Sequence, residues 1–200
     1  KNGGVIGGGP AGLEAARVAA KKGHKVMLFE KQKRLGGQLN IADVPPRKRE
    51  MHRAVQDLVK AAGIEGVTIR LGQAATITSI IELKPEAVIV AVGASSFAPA
   101  IAGIDGVNVC DSWKVLSGDQ KVSGRVAVIG AGLVGSETAE YLAEQCCKVL
   151  LIEKEDTIAA GISNTVLPTL LENFRTYGVQ QFTGKKVKRI ENIEIFTPKL

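Results

Sequence analysis

Two hundred residues, 45% of them hydrophobic, with a slightly positive mean hydropathy, suffice for one large packed domain or two small ones and exclude a disordered chain. Twenty-three glycines against 4% aromatic residues point to many tight turns and close backbone approaches, as in an α/β protein rich in nucleotide-binding loops. The net charge of +6 gathers partly in Arg47-Lys48-Arg49 with Arg53 and in Lys185-Lys186 with Lys188-Arg189; with no aromatic residues interleaved, these runs read as solvated faces and not as a nucleic-acid surface.

Apolar spacing outlines the elements in chain order. Val5-Ile6 ends an opening strand, and Leu13, Ala16, Ala19 and Ala20 give a helix with a small-residue stripe, capped at Gly23. Val26 to Phe29 reads as a buried strand ending at Glu30. Met51, Ala54, Val55, Leu58, Val59 and Ala62 keep helical spacing up to Gly63, and Val67 to Leu71 and Ala87 to Val92 read as strands. Residues 97–124, with Pro99, Gly103, Gly106, Gly118 and Gly124, look like a connection between lobes. Val126 to Ile129 then opens a second unit, followed by a helix marked by Leu133, Ala139, Leu142 and Ala143 and a strand at Val149 to Ile152. Cys146 stands where the first unit has its capping glycine, so this helix is expected to end by other means. A helix over Val166 to Tyr177 starts close to Pro168 and closes at Gly178; a strand at Val179 to Phe182 and short strands within 187–196 complete the reading.

The two units are copies of one another. Laying residues 5–31 over 128–154, a shift of 123 (128 minus 5), pairs Val5-Ile6-Gly7 with Val128-Ile129-Gly130, Gly9 with Gly132, Gly12 with Gly135, and Glu30-Lys31 with Glu153-Lys154. Each copy is a strand, a G-x-G-x-x-G corner, a helix, and a strand ending in glutamate. The fold class is therefore α/β, with two tandem Rossmann-like dinucleotide-binding βαβ units on parallel sheets.

The motif is specific because each position has its own task. Gly7 and Gly130 allow the tight turn out of the strand, Gly9 and Gly132 leave no side chain between backbone and pyrophosphate, and Gly12 and Gly135 let helix and strand pack closely. Free amides at the helix start receive the diphosphate, so Pro10, Ala11, Leu133 and Val134 in the first turns belong to the candidate sites; Pro10 removes no needed donor. Glu30 and Glu153 stand where a carboxylate accepts hydrogen bonds from ribose hydroxyls. The same charge repels a 2′-phosphate, so Glu153 favours NAD(H) over NADP(H) at the second site, a preference that Lys154 softens.

Gly7-Gly8-Gly9-Pro10-Ala11-Gly12, Glu30-Lys31 and Leu35-Gly36-Gly37-Gln38-Leu39 resemble the start of the two-dinucleotide-binding-domain flavoproteins. Pro45-Pro46 with the helix that follows, Ala91-Val92-Gly93-Ala94 and Trp113-Lys114-Val115-Leu116-Ser117-Gly118 most resemble the C-terminal portion of the 2,4-dienoyl-CoA reductase, NADH:flavin oxidoreductase and trimethylamine dehydrogenase group. The resemblance implies FAD at the first corner, with Glu30 and Lys31 at the ribose and Gly36, Gly37, Gln38 and Gly93 around the dinucleotide, and NAD(P)H at the second. It also implies a partner, an N-terminal TIM-barrel domain of the parent chain carrying FMN and a 4Fe-4S cluster. On this reading residues 1–105 form an incomplete FAD-binding domain, 106–124 a linker, and 125–200 a truncated NAD(P)H-binding domain; a chain that starts at Lys1 fits an excised segment. Two departures stand out: Gly3 and Gly4 weaken the opening strand, and Val92 replaces the threonine common in the group.

The expected function is a flavin-dependent oxidoreductase that moves a hydride from NADH to FAD and electrons onward, with cofactors performing the redox chemistry, so that no side chain is assigned a catalytic role. The alternative is a structural module holding ADP or another nucleotide. Cys110, Cys146 and Cys147 provide neither a metal-ligand set nor the Cys-x2-Cys or Cys-x4-Cys pair of a disulfide reductase. With no signal peptide and no apolar run near the ~20 residues of a membrane span, a cytoplasmic location is expected, without nucleic-acid or membrane partners.

Overall fold

β-branched and aliphatic runs bounded by glycine become the parallel strands. In the computed structural model, which describes residues 1–191 and 194–196, β1 (Asn2–Ile6) is followed by α1 (Pro10–Lys21), β2 (Lys25–Glu30), α2 (Leu39–Ala42), α3 (Glu50–Ile64), β3 (Thr68–Leu71), α4 (Ile77–Leu83) and β4 (Ala87–Val90). Then come α5 (Ser112–Leu116), β5 (Arg125–Ile129), α6 (Leu133–Glu144), β6 (Lys148–Ile152), α7 (Leu167–Thr176), β7 (Gln180–Phe182) and the hairpin of β8 (Arg189–Glu191) and β9 (Glu194–Phe196). One compact unit is Lys1–Asp43 with Arg47–Ser95; the other is Val44–Pro46 with the chain from Ser96 onward.

The first unit carries a four-stranded parallel sheet in the order β3-β2-β1-β4. Val5, Leu13, Ala16, Val26, Leu28 and Ala62 are fully or almost fully buried between sheet and helices, so the small-residue face of α1 does lie on the strands. Gly3 and Gly4 do not interrupt β1; Gly3 pairs with Val26 and Ala87, and Gly4 with Met27 and Val88. The second unit has a three-stranded parallel sheet, β5-β6-β7, and an antiparallel β8-β9 hairpin. Its core includes Ala139, Leu142, Val149, Leu151, Leu170 and Phe174.

The repeat persists in the register. Asn2 faces Lys25 in the first sheet, and Arg125 faces Lys148 in the second, the same pairing displaced by 123 (125 minus 2). It persists also at Cys146, which corrects the expectation of a different helix end. Cys146 takes the left-handed conformation at φ 64°, as Gly23 does at φ 83°, and both donate their N–H back to an alanine carbonyl, Ala143 and Ala20.

Residues 96–105, read from the sequence as part of the first domain, group with the second unit. Ala102 bridges to Arg189, the Ile190 N–H donates to the Ala102 carbonyl, and Ile101 and Ile104 pack on Val187 and Ile190. The expected linker contains α5, capped by the Asp111 carboxylate on the Trp113 N–H, and its Val115 joins the second core. Among the described residues no helix is long and apolar enough to cross a membrane.

Candidate functional site

The sharp exit from β1 fixes the first corner. Gly7 sits at φ 106° with its N–H donated to the Phe29 carbonyl, and a Cβ there would strike the Ala91 carbonyl oxygen. A Cβ on Gly12 would collide with the Gly7 carbonyl oxygen, so α1 approaches the strand as closely as backbone allows. Gly9, the N-cap of α1, differs: its side is open, with only the Gly37 Cα at 3.8 Å from a Cβ position. No side chain caps α1, Pro10 opens it, and the Ala11 and Gly12 amides lie in its first turn.

Around this opening the structure collects the other first-site residues. The Glu30 carboxylate, 6% exposed, accepts the Gly8 N–H on Oε2 and the Gln32 N–H on Oε1, both at 2.7 Å. Gly36 donates its N–H to the Gly8 carbonyl at 2.8 Å, which lays the Leu35–Gln38 loop over the corner. Gln38 donates from Nε2 to the Ala94 carbonyl at 3.1 Å and lies beside Gly93. Lys31 follows Glu30 as an exposed side chain.

The second corner repeats this frame. Gly130 at φ 95° donates its N–H to the Ile152 carbonyl, a Cβ on Gly135 would collide with the Gly130 carbonyl oxygen, and Gly132 is an uncapped N-cap with nothing among the described residues within 4 Å of a Cβ position. Leu133 and Val134 open α6 with half-exposed apolar side chains. The Glu153 carboxylate, 9% exposed, accepts the Ala131 N–H at 2.6 Å and the Glu155 N–H at 3.0 Å. Burial alone raises its pKa; the amides of Glu155, Ala131 and Lys154, with the Lys154 charge, outweigh it and hold the carboxyl below its ordinary range.

These carboxylates do more than their strand-end position foretold. Each accepts one backbone N–H from its glycine corner, that of Gly8 or Ala131, and one from its own strand end, that of Gln32 or Glu155, and each keeps lone pairs for a further donor such as a ribose hydroxyl. The sequence reading missed the donors themselves, at Gly8, Gln32, Ala131 and Glu155. It also missed a second loop: Ala159 donates its N–H to the Ala131 carbonyl, as Gly36 does to that of Gly8, and Ala159 adopts φ 59°. Continuing the repeat displacement from residue 36 reaches residue 159, so Ile158-Ala159-Ala160-Gly161 is the counterpart of Leu35-Gly36-Gly37-Gln38.

An open glycine, an uncapped helix start and a fastened carboxylate fit an adenine dinucleotide at both corners: among the described residues nothing closer than 3.8 Å stands where a Cβ on Gly9 or Gly132 would project, and a side chain there would fill that space. The described cysteines, Cys110, Cys146 and Cys147, are free.

The chain is similar in sequence and in fold to known proteins. The chain is 53% identical over 186 residues to the bilirubin reductase of Mediterraneibacter gnavus and 41% identical over 192 residues to the NADH oxidase of Thermoanaerobacter brockii; each match covers 93% of this chain. It spans only 29% of the length of either relative. A solved 2-naphthoyl-CoA reductase in complex with 2-naphthoyl-CoA superposes with a TM-score of 0.92 at 27% identity, over 96% of this chain and 29% of that one. These likenesses agree with the resemblance to the dienoyl-CoA reductase and trimethylamine dehydrogenase group. The model of the family described as pyridine nucleotide-disulphide oxidoreductase matches residues 4–197, a span holding both glycine corners, and the chain belongs to that family.

Proposed function

We propose that the chain is the cofactor-handling part of a flavin-dependent oxidoreductase, holding FAD at the Gly7–Gly12 corner and NAD(H) at the Gly130–Gly135 corner. The observation that carries this reading is the duplication of one binding frame: the same open glycine, the same uncapped helix start and the same doubly fastened glutamate occur twice. Two dinucleotides, one accepting and one donating a hydride, are the ligands such a pair would serve. When bound, the cofactors supply the chemistry, a nicotinamide hydride reducing a flavin.

The chain's own groups bind and orient. The amides of Ala11 and Gly12, and of Val134 and Gly135, face the diphosphates with the positive ends of α1 and α6 behind them. Glu30 and Glu153 accept ribose hydroxyls on their remaining lone pairs. Lys31, Gly36, Gly37, Gln38 and Gly93 border the first ligand. Electrons then leave for another centre in the parent protein, which we take to be an N-terminal TIM barrel with FMN and a 4Fe-4S cluster, in keeping with the short span this chain covers of its relatives.

Ligand extraction and rapid mixing test this. Purified full-length parent should be yellow, release one FAD per chain in addition to the FMN of the barrel, and lose flavin absorbance on mixing with NADH. Protein that releases ADP in place of FAD, or a flavin that neither nicotinamide bleaches, would overturn it.

A further inference from the structure

A serine fully shielded from solvent must find a hydrogen-bond partner inside the protein, and Ser136 finds it in the second glycine corner. A helical serine or threonine ordinarily donates back to the carbonyl three or four residues before it. Thr138 does so, giving its hydroxyl hydrogen to the Val134 carbonyl at 2.7 Å. Ser136 reaches past the start of α6 instead: its Oγ donates at 3.0 Å to the carbonyl of Ala131, five residues back, in the turn between Gly130 and Gly132. The same carbonyl accepts the Ala159 N–H at 2.6 Å, and the Ala131 N–H goes to Glu153. In the first unit the Gly8 carbonyl accepts the Gly36 N–H, and the position displaced by 123 from Ser136 is the buried Leu13, whose side chain has no donor.

We propose that Ser136 is a positioning residue of the second nucleotide site: by holding the Ala131 carbonyl it aims the N–H of Gly132 at the diphosphate. The inference rests on the second corner binding NAD(H). The Ala131 carbonyl and the Gly132 N–H belong to one planar trans peptide, so they point in opposite directions. With the carbonyl turned to a buried hydroxyl, the N–H is turned away from the core, on a residue that is itself exposed and N-caps α6. A carbonyl with one donor can still rock, because Gly132 has no side chain to limit the rotation. A second donor, from a side chain packed in the core, restrains it, so that less ordering is left for the diphosphate to impose on binding. Being fully buried, Ser136 does not itself meet the nucleotide.

The test is a calorimetric titration of NAD+ into the oxidised, FAD-loaded full-length parent, with adenosine as a competitor that keeps the ribose for Glu153 and lacks the diphosphate. Ser136→Ala should raise the NAD+ dissociation constant about threefold to tenfold, the range that one neutral hydrogen bond sets, and leave the adenosine constant at its wild-type value. Ser136→Cys, close in shape and a poor donor, should show most of the same selective loss, and it carries the test if the alanine variant does not fold. Wild-type NAD+ affinity in a folded variant would overturn the proposal, as would equal losses for NAD+ and adenosine, which mark general damage to the core. Wild-type protein that binds NAD+ no more tightly than adenosine would instead remove the diphosphate from the second corner, and with it the reading on which the proposal stands.

Discussion

Replacing Glu153 by alanine removes an acceptor from two backbone donors at once, the Ala131 N–H at 2.6 Å and the Glu155 N–H at 3.0 Å, in a place where the side chain is only 9% exposed. Hydrogen bonds to a charged group contribute roughly 1.5–3 kcal/mol each. Water reaching the partly exposed rim recovers some of this, so a loss of about 2–4 kcal/mol is expected, or roughly 4–16 °C in melting temperature for a chain of this size. Circular-dichroism melts of wild type and Glu153→Ala would measure it. The difference should also depend on pH. The folded carboxyl titrates below its ordinary range, so its contribution is complete above the unfolded-state pKa and disappears as pH falls through the lower folded-state value. The two melting curves should therefore converge in acid, on the low side of the ordinary glutamate range, and diverge towards neutrality. In parallel, Glu153→Ala should weaken NADH binding and narrow the preference over NADPH. A variant that melts within about 2 °C of wild type at neutral pH would refute the claim that this carboxylate holds the corner together.

Two further substitutions separate ligand space from fold. Gly9 and Gly132 have ordinary backbone angles, φ −75° and −68°, and no close neighbour at the Cβ position, so Gly9→Ala and Gly132→Ala should leave the melting temperature near that of wild type. They should each weaken their own nucleotide, FAD and NADH respectively, by tenfold or more in equilibrium titrations, because the added methyl occupies the place of the diphosphate; full-affinity binding would remove both corners as diphosphate sites. At the end of α6, exposed Cys146 holds a left-handed conformation that disfavours any Cβ, so Cys146→Gly should stabilise the protein by up to about 1 kcal/mol in a thermal melt.

The part of the chain that could be read from sequence is the part where side-chain identity and backbone demand coincide. At Gly7, Gly12, Gly130 and Gly135 the fold requires a missing Cβ, and the letter itself records the requirement. Strand pairs and α1, α3, α6 and α7 announce themselves by apolar spacing for the same reason. Where a non-glycine residue adopts the left-handed region, the record is lost: Cys146 and Ala159 do what Gly23 and Gly36 do, and nothing in their identities says so. The Ile158–Gly161 loop was therefore invisible as the partner of Leu35–Gln38. α4 was hidden differently. Its capping box uses Thr76 with Ser79 where the familiar pattern has an acidic or amide residue, and its isoleucines suggest strand as readily as helix. The hydrogen bonds from Gly8, Gln32, Ala131 and Glu155 could not be seen at all, since every residue but proline carries the same N–H.

Those invisible bonds change how the corners should work. A glutamate that met only the ribose would leave the glycine turn to be ordered when ligand arrived, and the ordering entropy would weaken binding. Here the carboxylate ties strand end to glycine turn within the protein itself, once at each corner through the Gly8 or the Ala131 amide, and the Gly36 and Ala159 amides tie the following loop to the same turn. The helix-start amides are thus aimed before any nucleotide is present.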